Sequence, residues 1–192
     1  QALAGKDTAL LGETQLKWLM AELSASKALW KVVASDMPLG LVVGKVGAYE
    51  AVANGNGPVQ GREHEIARLL KFIKDQSINN LVFLTADVHY TAAHHYHPDR
   101  AQFQDFNPFW EFVSGPLNAG TFGPSLLDDT FGPEVVYQRH PPDGLSNLPP
   151  SAGFQFFGEA AIDAIDGFMT VTLLDMWGTP LFEQRIEPMS EL

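Results

Sequence analysis

Two segments of the chain carry the hydrophobic periodicity of amphipathic helices. In residues 12–23 and again in residues 62–75, apolar side chains recur at the i, i+3, i+4, i+7 spacing that places them on one helical face. The two faces consist of Leu16, Leu19, Met20 and Leu23, and of Ile66, Leu69, Leu70 and Ile73. We therefore predict two helices, each with one buried face.

Three short apolar runs predict β-strands at Leu29–Ala34, Leu81–Thr85 and Phe109–Val113. The first two runs flank the second helix and lack the strict alternation of half-exposed strands, which favours strands that are buried on both faces. A strand–helix–strand order with such strands predicts an α/β protein, built as a layered sandwich.

The chain after residue 152 changes to an all-β pattern. Three apolar segments separated by turn residues predict a three-stranded meander. The segments are Phe154–Ile162, Phe168–Asp175 and Pro180–Glu187. The change near residue 150 is a candidate sub-boundary, although we expect residues 1–192 to form one domain.

Three other segments are predicted to be loops. Residues 44–61 are rich in glycine and asparagine, residues 86–108 in histidine, tyrosine and aspartate, and residues 114–152 in glycine and proline. A loop as long as the last one usually forms or covers a functional site.

The charge of the chain restricts its partners. The net charge of −11 disfavours nucleic acid and anionic lipid, so we expect no nucleic-acid-binding surface. An anionic phosphate ester would also be repelled, unless metal ions supply local positive charge.

The composition excludes further classes of site. The absence of cysteine rules out disulfides, zinc–thiolate sites and thiol nucleophiles. No apolar run approaches the roughly 18–20 residues of a membrane span. The start at Gln1–Gly5 has no initiator Met and no features of a signal peptide. We expect the chain to be part of a longer polypeptide, although experimental trimming would leave the same start.

The strongest candidate site is the sequence Asp87-Val88-His89, which comes two residues after the apolar run that ends at Thr85. If the extended geometry continues, Asp87 and His89 point to the same side. They would then converge beyond the carboxyl end of a strand, where open α/β sheets bind their ligands. A carboxylate and an imidazole suit Zn, Mn or Fe. The alternative is an aspartate that caps a turn and a histidine on the surface.

The remaining candidates are less distinctive. His94, His95 and His97 add to a histidine density typical of metal-binding segments. Because they are so close along the chain, we expect at most one near the site and the others in solvent. Arg62 follows the flexible loop and is either a bidentate phosphate ligand or a surface arginine paired with a glutamate.

Two small segments extend the candidate set. Asp36 ends the first predicted strand, beside Ser35. Ser114-Gly115-Pro116 and Asn118-Ala119-Gly120 follow the third strand, and their small residues permit the close approach of a ligand. The loop after the third strand is equally compatible with an ordinary bend.

Five segments of the sequence form an ordered set: Leu11–Leu19, Trp30–Val32, Gly61–Glu63, Asn80–His89 and Phe112–Pro116. In this order they resemble segments of the PhoD-type alkaline phosphatases of the metallophosphoesterase superfamily. The family patterns are LG..Q..WL for the first segment, W.V for the second, NVVFLTGDVH for the fourth and EFVSGP for the fifth. Each match is short, but the ordered set spans residues 10–187 and is specific. One departure is Ala86, where the family often has glycine.

The resemblance implies two sheets flanked by helices and a multinuclear metal site that hydrolyses phosphate esters. It implies that Asp87 and His89 belong to the active site and that His89 binds a metal ion, with Asp87 as a ligand or as a group that orients one. It implies a role for Arg62 less directly. The ions would be Ca, Fe, Mn, Mg or Zn, and the location periplasmic or extracellular.

The chain also departs from the family by omission. The family's other metal ligands lie in an N-terminal half that this sequence does not contain, and two or three ligands are too few for a dinuclear site. We therefore expect that half as a partner, a phosphate ester as the substrate, and little activity from this chain alone. The alternative is a non-catalytic binding or structural module.

Overall fold

The computed structural model describes residues 9–45 and 48–189, with the side chain of Ala48 excepted. The start at Gln1–Gly5 lies outside the described residues. In chain order the helices are α1 (Gly12–Ala25) and α2 (Glu63–Asp75). The strands are β1 (Lys31–Ala34), β2 (Leu41–Val42), β3 (Gly44–Lys45), β4 (Ala48–Tyr49), β5 (Leu81–Thr85), β6 (Thr91–Tyr96), β7 (Phe109–Val113), β8 (Leu126–Leu127), β9 (Pro133–Arg139), β10 (Phe156–Ile162), β11 (Met169–Asp175) and β12 (Pro180–Ile186).

Both predicted helices are confirmed and are joined by a charged contact. The carboxylate of Glu65, in the first turn of α2, accepts hydrogen bonds from the backbone N–H groups of Leu10, Leu11 and Gly12 at 2.7–3.0 Å. These groups lie at the start of α1, where N–H groups have no partner within the helix. Glu65 therefore caps α1 from the neighbouring helix.

A five-stranded sheet in the order β1-β5-β7-β6-β9 forms the centre of the fold. β1, β5 and β7 are parallel, and β6 runs antiparallel to both of its neighbours. The carboxyl ends of the three parallel strands therefore lie at the same end of the sheet, where α/β proteins commonly bind their ligands.

The two strands that complete this sheet lie in segments predicted to be loops, so the loop predictions for 86–108 and 114–152 are wrong in part. β6 contains His94 and His95, and β9 lies within the glycine- and proline-rich excursion. Their sequences, TAAHHY and PEVVYQR, contain polar residues that pair or face solvent, so apolar periodicity did not reveal them.

The prediction of a buried strand at Leu29–Ala34 is also wrong in part. β1 begins at Lys31 and lies at the edge of the sheet, and its residues alternate between half-buried and exposed. Val32 is 46% exposed and Leu29, which precedes the strand, is 46% exposed as well. Apolar composition alone does not distinguish such an edge from a central strand.

The central sheet has an apolar core on each face, which confirms an α/β architecture. Phe83 and Phe109 face the helices, while Val82 and Phe112 face the other side. On that side lies the predicted meander β10-β11-β12, whose central strand buries Met169, Val171 and Leu173. Burial of each large apolar side chain stabilises the fold by about 1.5–3 kcal/mol. In the described part of the chain, no helix is long and apolar enough to cross a membrane.

Candidate functional site

The carboxyl ends of the parallel strands bring the candidate segments together. The ladder of backbone hydrogen bonds continues past the strands, from Ser35 N to Leu84 O, from Ala86 N to Asp36 O and from Ser114 N to Thr85 O, each at 3.0 Å. The segments that follow β1, β5 and β7 are thus held side by side. The same end of the sheet therefore carries Asp36, Asp87 and Ser114, as the sequence predicted for the residues after each strand.

The backbone at Asp87 and His89 is not extended. Their φ angles are +61° and +62°, and Val88 N donates to Ala86 O at 2.8 Å. The period-two argument for their common direction is therefore wrong, because β5 ends at Thr85 and the chain turns tightly. Residues other than glycine at such φ angles are uncommon and cost of order 1–3 kcal/mol each. The directions of the two side chains are therefore set by this turn and not by the geometry of the strand.

His89 is held in one orientation by the loop after β7. Its Nδ1 lies 2.6 Å from the carbonyl oxygen of Gly120, and its ring contacts that of Phe122 with 5.3 Å between the centroids. The backbone N–H of Phe122 also donates to the carbonyl oxygen of His89 at 3.3 Å. A carbonyl can only accept, so Nδ1 donates a proton to it, and in the neutral imidazole Nε2 then keeps its lone pair. Metal-binding histidines are commonly oriented by a contact of this kind.

The small-residue loop predicted after β7 is therefore part of the site. A side chain at Gly120 would collide with Asn147, so the glycine lets this backbone pass close to its neighbour. The close approach of a ligand to this loop stays a prediction, and the sequence could not show that the Gly120 carbonyl lies beside His89. The contact depends on a separation of 31 residues along the chain.

Asp87 differs from His89 in being exposed. Within the described residues, no hydrogen bond occupies its carboxylate oxygens. One free carboxylate and one free imidazole nitrogen fit a metal ion that takes oxygen and nitrogen ligands. The described residues contain no group of three or more Asp, Glu or His placed to hold a metal ion.

His94 lies in the core, which contradicts the expectation of a solvated side chain. It is completely buried, and its Nδ1 lies 3.0 Å from Glu111 Oε2. The hydroxyl of Tyr96 donates to the same oxygen at 2.7 Å, and Glu111 Oε1 accepts from Leu39 N at 2.7 Å. Burial and the adjacent Glu111 raise the pKa of Tyr96 well above its ordinary value. This buried cluster was not recognised in the sequence.

The other two histidines of the segment have structural contacts of their own. His95 packs on Trp110 with 4.8 Å between ring centroids, and burial, aided by Arg100, lowers its pKa. His97 Nδ1 accepts the backbone N–H of Asp99 at 3.2 Å and so caps a short 3₁₀ turn. Neither side chain forms a hydrogen bond with Asp87 or His89 in the described structure.

Arg62 is engaged with its own chain. Its Nη1 donates to the carbonyl oxygens of Tyr49, Glu50 and Ala51 at 3.0–3.4 Å. These bonds hold the chain that leads from β4 to the following loop. Among the described residues, no hydrogen bond joins Arg62 to Asp87 or His89.

Polar side chains beyond the carboxyl ends of the parallel strands place this chain among the α/β proteins that bind their ligands at that end of the sheet. The model of the family described as PhoD-like phosphatase matches residues 1–173, and the chain belongs to this family.

The chain is similar to alkaline phosphatase D of Bacillus subtilis (strain 168), with 30% identity over 121 residues, which cover 63% of this chain and 20% of that protein. A solved structure titled "Structure of PhoD" matches at 28% identity with a TM-score of 0.41, covering 55% of this chain and 20% of that one. The chain thus matches about a fifth of the length of the curated relative.

Proposed function

We propose that the chain is part of an enzyme that hydrolyses phosphate esters with bound metal ions, and that Asp87 and His89 contribute ligands. The observation that supports this most directly is the orientation of His89. The Gly120 carbonyl, 2.6 Å from Nδ1, leaves Nε2 as the free electron-pair donor. Membership of the PhoD-like phosphatase family supports the same reaction class.

The two side chains would act differently toward the ion. His89 enters the site already oriented, so binding a metal ion costs little rotamer entropy, whereas the exposed Asp87 must be ordered. Their oxygen and nitrogen donors are compatible with Ca, Fe, Mn, Mg or Zn. Bound ions would polarise the phosphoryl group and lower the pKa of a water molecule that attacks it. The positive charge would also offset the repulsion between the acidic chain and an anionic ester.

Arg62 is a secondary part of the proposal. Its Nη1 is occupied by three carbonyl groups, but no hydrogen bond in the described structure occupies Nη2 or Nε. Through these atoms the guanidinium could stabilise the charge that develops on a phosphoryl group. It would do so without releasing the chain segment that it holds.

The remaining ligands would come from an N-terminal part of the same polypeptide. Two ligands do not hold a pair of ions, and the described residues contain no group of three or more Asp, Glu or His that could hold one. The curated relative is also several times longer than the matched region. A periplasmic or extracellular location belongs to the same proposal, since it follows only from the family resemblance.

The proposal is tested with the intact parent protein. Hydrolysis of p-nitrophenyl phosphate and of bis-p-nitrophenyl phosphate is measured with each candidate ion, before and after chelation. We expect turnover that is lost with a chelator and restored by one of the ions. A parent that binds no metal and hydrolyses neither ester would favour a non-catalytic module instead.

A further inference from the structure

Arg139, at the end of β9, is the one arginine without a hydrogen bond or an ion pair among the described residues. The chain has five arginines, and its acidic residues outnumber its basic ones by 23 to 12. The other four have partners: Arg62 donates to three backbone carbonyls, and Arg68, Arg100 and Arg185 pair with Glu13, Glu134 and Asp166 at 2.8, 3.3 and 2.6 Å. In so acidic a chain, a guanidinium that has no such partner favours an external anion.

Two arginines lie over phenylalanine rings, and a carboxylate pairs with only one of them in the described structure. The Cζ of Arg185 is 3.8 Å from the centroid of the Phe168 ring, and Asp166 pairs with the same guanidinium at 2.6 Å. The Cζ of Arg139 is 5.8 Å from the centroid of Phe156, which is only 1% exposed. The first stack is neutral as a unit. The second keeps a positive charge whose N–H donors remain available.

Asp175 is the acidic residue that Arg139 affects without pairing with it. Burial raises the pKa of Asp175, but hydrogen bonds from Thr179 and Trp177 and a smaller effect of Arg139 hold this pKa below its ordinary value. The Oδ1 atom of Asp175 accepts the backbone N–H groups of Trp177 and Thr179 at 3.0 and 2.9 Å. Asp175 therefore caps the turn between β11 and β12, and Arg139 keeps its own donors.

Arg139 lies at the end of the sheet that carries the candidate site. β6 is antiparallel to both β7 and β9, so β9 runs in the direction of β7. Its last residue, Arg139, pairs with Thr91, whose hydroxyl donates to the carbonyl oxygen of Val113 at 2.9 Å. Paired Cα atoms of antiparallel strands are about 4.5–5.5 Å apart, and two residues of chain span at most about 7 Å. The Cα atoms of Arg139 and His89 are therefore within about 13 Å of each other.

The ring beneath Arg139 is attached to the loop after β7. Phe156 donates its backbone N–H to the carbonyl oxygen of Pro116 at 3.0 Å. The preceding residue, Gln155, is buried, and its side-chain amide donates to the Ala119 carbonyl at 3.1 Å and accepts the Ala119 N–H at 3.4 Å. Three hydrogen bonds thus hold the start of β10 against this loop.

The same loop orients His89. Gly120, the neighbour of Ala119, provides the carbonyl oxygen that lies 2.6 Å from His89 Nδ1. Arg139 and His89 therefore border one loop at one end of the sheet. An extended arginine and an imidazole can together reach a single small anion across the separation of their Cα atoms.

We propose that Arg139 binds a non-bridging oxygen of the substrate's phosphoryl group and thereby favours phosphate monoesters over diesters. This inference rests on the proposed function for the reaction itself. A monoester carries about 1.5–2 negative charges at pH 7, whereas a diester carries a single charge and has an organic group in place of one oxygen. An additional guanidinium, which binds phosphate oxygens through its fork of N–H donors, therefore stabilises the bound monoester more.

Hydrolysis by the intact parent tests this selectivity with two esters that share one leaving group. Arg139→Gln should lower kcat/KM for p-nitrophenyl phosphate by at least about tenfold, the loss expected for one charge-assisted hydrogen bond, and for bis-p-nitrophenyl phosphate by less than about threefold. Arg139→Lys keeps the charge without the fork and should recover part of the monoester rate. Equal losses for the two esters, or no loss for either, would overturn the proposal.

Arg185→Gln is the matched control. Arg185 also lies over a phenylalanine, but it pairs with Asp166 and lies opposite Thr170, near the start of β11, whereas Asp175 ends that strand. We expect Arg185→Gln to leave the ratio of kcat/KM for the two esters unchanged. A change as large as that for Arg139→Gln would show that the ratio responds to any lost charge, and the proposal would be wrong.

Binding of inorganic phosphate provides a test that does not depend on turnover. In calorimetric titrations of the purified parent, Arg139→Gln should raise the Kd for phosphate by at least about tenfold, while Arg185→Gln should leave it unchanged. Circular dichroism verifies that each variant is folded. An unchanged Kd, with Tm lowered as much as by Asp175→Asn, would show that Arg139 is a structural counter-charge. A parent that does not bind phosphate would also overturn the proposal.

The outcome is separable from that of the proposed function. Metal-dependent hydrolysis that Arg139→Gln reduces equally for both esters would support the enzyme and reject the role of Arg139. A parent that hydrolyses neither ester, yet binds inorganic phosphate through Arg139, would reject the proposed reaction and support the anion site.

Discussion

At the scale of single residues, the contrast between His89 and His97 separates a proposed metal ligand from a structural histidine. His89 is oriented by Gly120, whereas His97 caps a short turn. In the parent, His89→Ala should lower kcat/KM for a phosphate ester by orders of magnitude, because a lost ligand disturbs both the nucleophile and the charge stabilisation. His97→Ala should retain nearly full activity. Comparable losses in the two variants would show that the assignment of the cluster is wrong.

The buried carboxylate of Glu111 leads to a prediction about stability. Glu111→Ala removes the acceptor of Leu39 N and of the Tyr96 hydroxyl and leaves His94 buried without its partner. We expect the free energy of unfolding to fall by about 3 kcal/mol or more, because three buried hydrogen-bonding groups each lose a partner at a cost of about 1–3 kcal/mol. Urea denaturation monitored by circular dichroism measures the change.

Glu134 is the matched control for Glu111. It lies in β9, its side chain is 57% exposed, and it pairs with Arg100 at 3.3 Å. Exposed pairs contribute about 0–1 kcal/mol, so Glu134→Ala should change the unfolding free energy by no more than that. A loss for Glu111→Ala as small as that for Glu134→Ala would show that the buried cluster is not a stabilising unit.

The sequence indicated Asp87 and His89 as candidate site residues, which stays a prediction, but the argument from their spacing is wrong. Both follow a buried strand, as predicted, yet their orientation depends on left-handed backbone angles and on the distant Gly120 carbonyl. Local spacing contains neither kind of information. The role of His94 was missed for the same reason, because its partner Glu111 lies 17 residues away on another strand.

At the scale of elements, regular periodicity was a reliable guide. Both helices, the strands β5 and β7, and the meander were predicted close to their observed bounds, since their apolar residues follow one face or form a continuous run. β6 and β9 were missed because their polar residues resemble loop composition. Their place in the sheet depends on pairing with β7 and with each other, which no local pattern reveals.

The start of α2 provides a prediction of pH dependence. Glu63 accepts the backbone N–H groups of Asn54 and Gln60, each at 2.8 Å, and thereby holds the loop before the helix. Burial raises the pKa of Glu63 from 4.5 to about 7. The folded state therefore binds this proton more tightly than the unfolded state, and its contribution to stability is present below pH 4.5 and is lost as the pH rises to about 7.

Glu63→Gln should remove that dependence. The unfolding free energy of the original protein should fall between pH 5 and pH 8, relative to the variant, by roughly 2–3 kcal/mol for a shift of this size. The test compares how steeply the unfolding free energy changes with pH in the two proteins. Its absolute value is not compared, because the glutamine also alters the hydrogen bond to Gln60. Identical pH profiles would show that Glu63 titrates near its ordinary value.

At the scale of the whole molecule, we expect this 192-residue chain by itself to be a poor phosphatase or none. In the proposed site Asp87 and His89 would supply at most part of one ion's coordination, and a dinuclear site needs both ions held about 3.5–4 Å apart. Without the ions, the net charge of −11 also repels an anionic ester. Purified chain, shown by mass to contain no second polypeptide, is assayed with both nitrophenyl esters across Ca²⁺, Mg²⁺, Mn²⁺, Fe³⁺ and Zn²⁺. Robust turnover that a chelator abolishes would mean that residues assigned here to structural contacts complete the site.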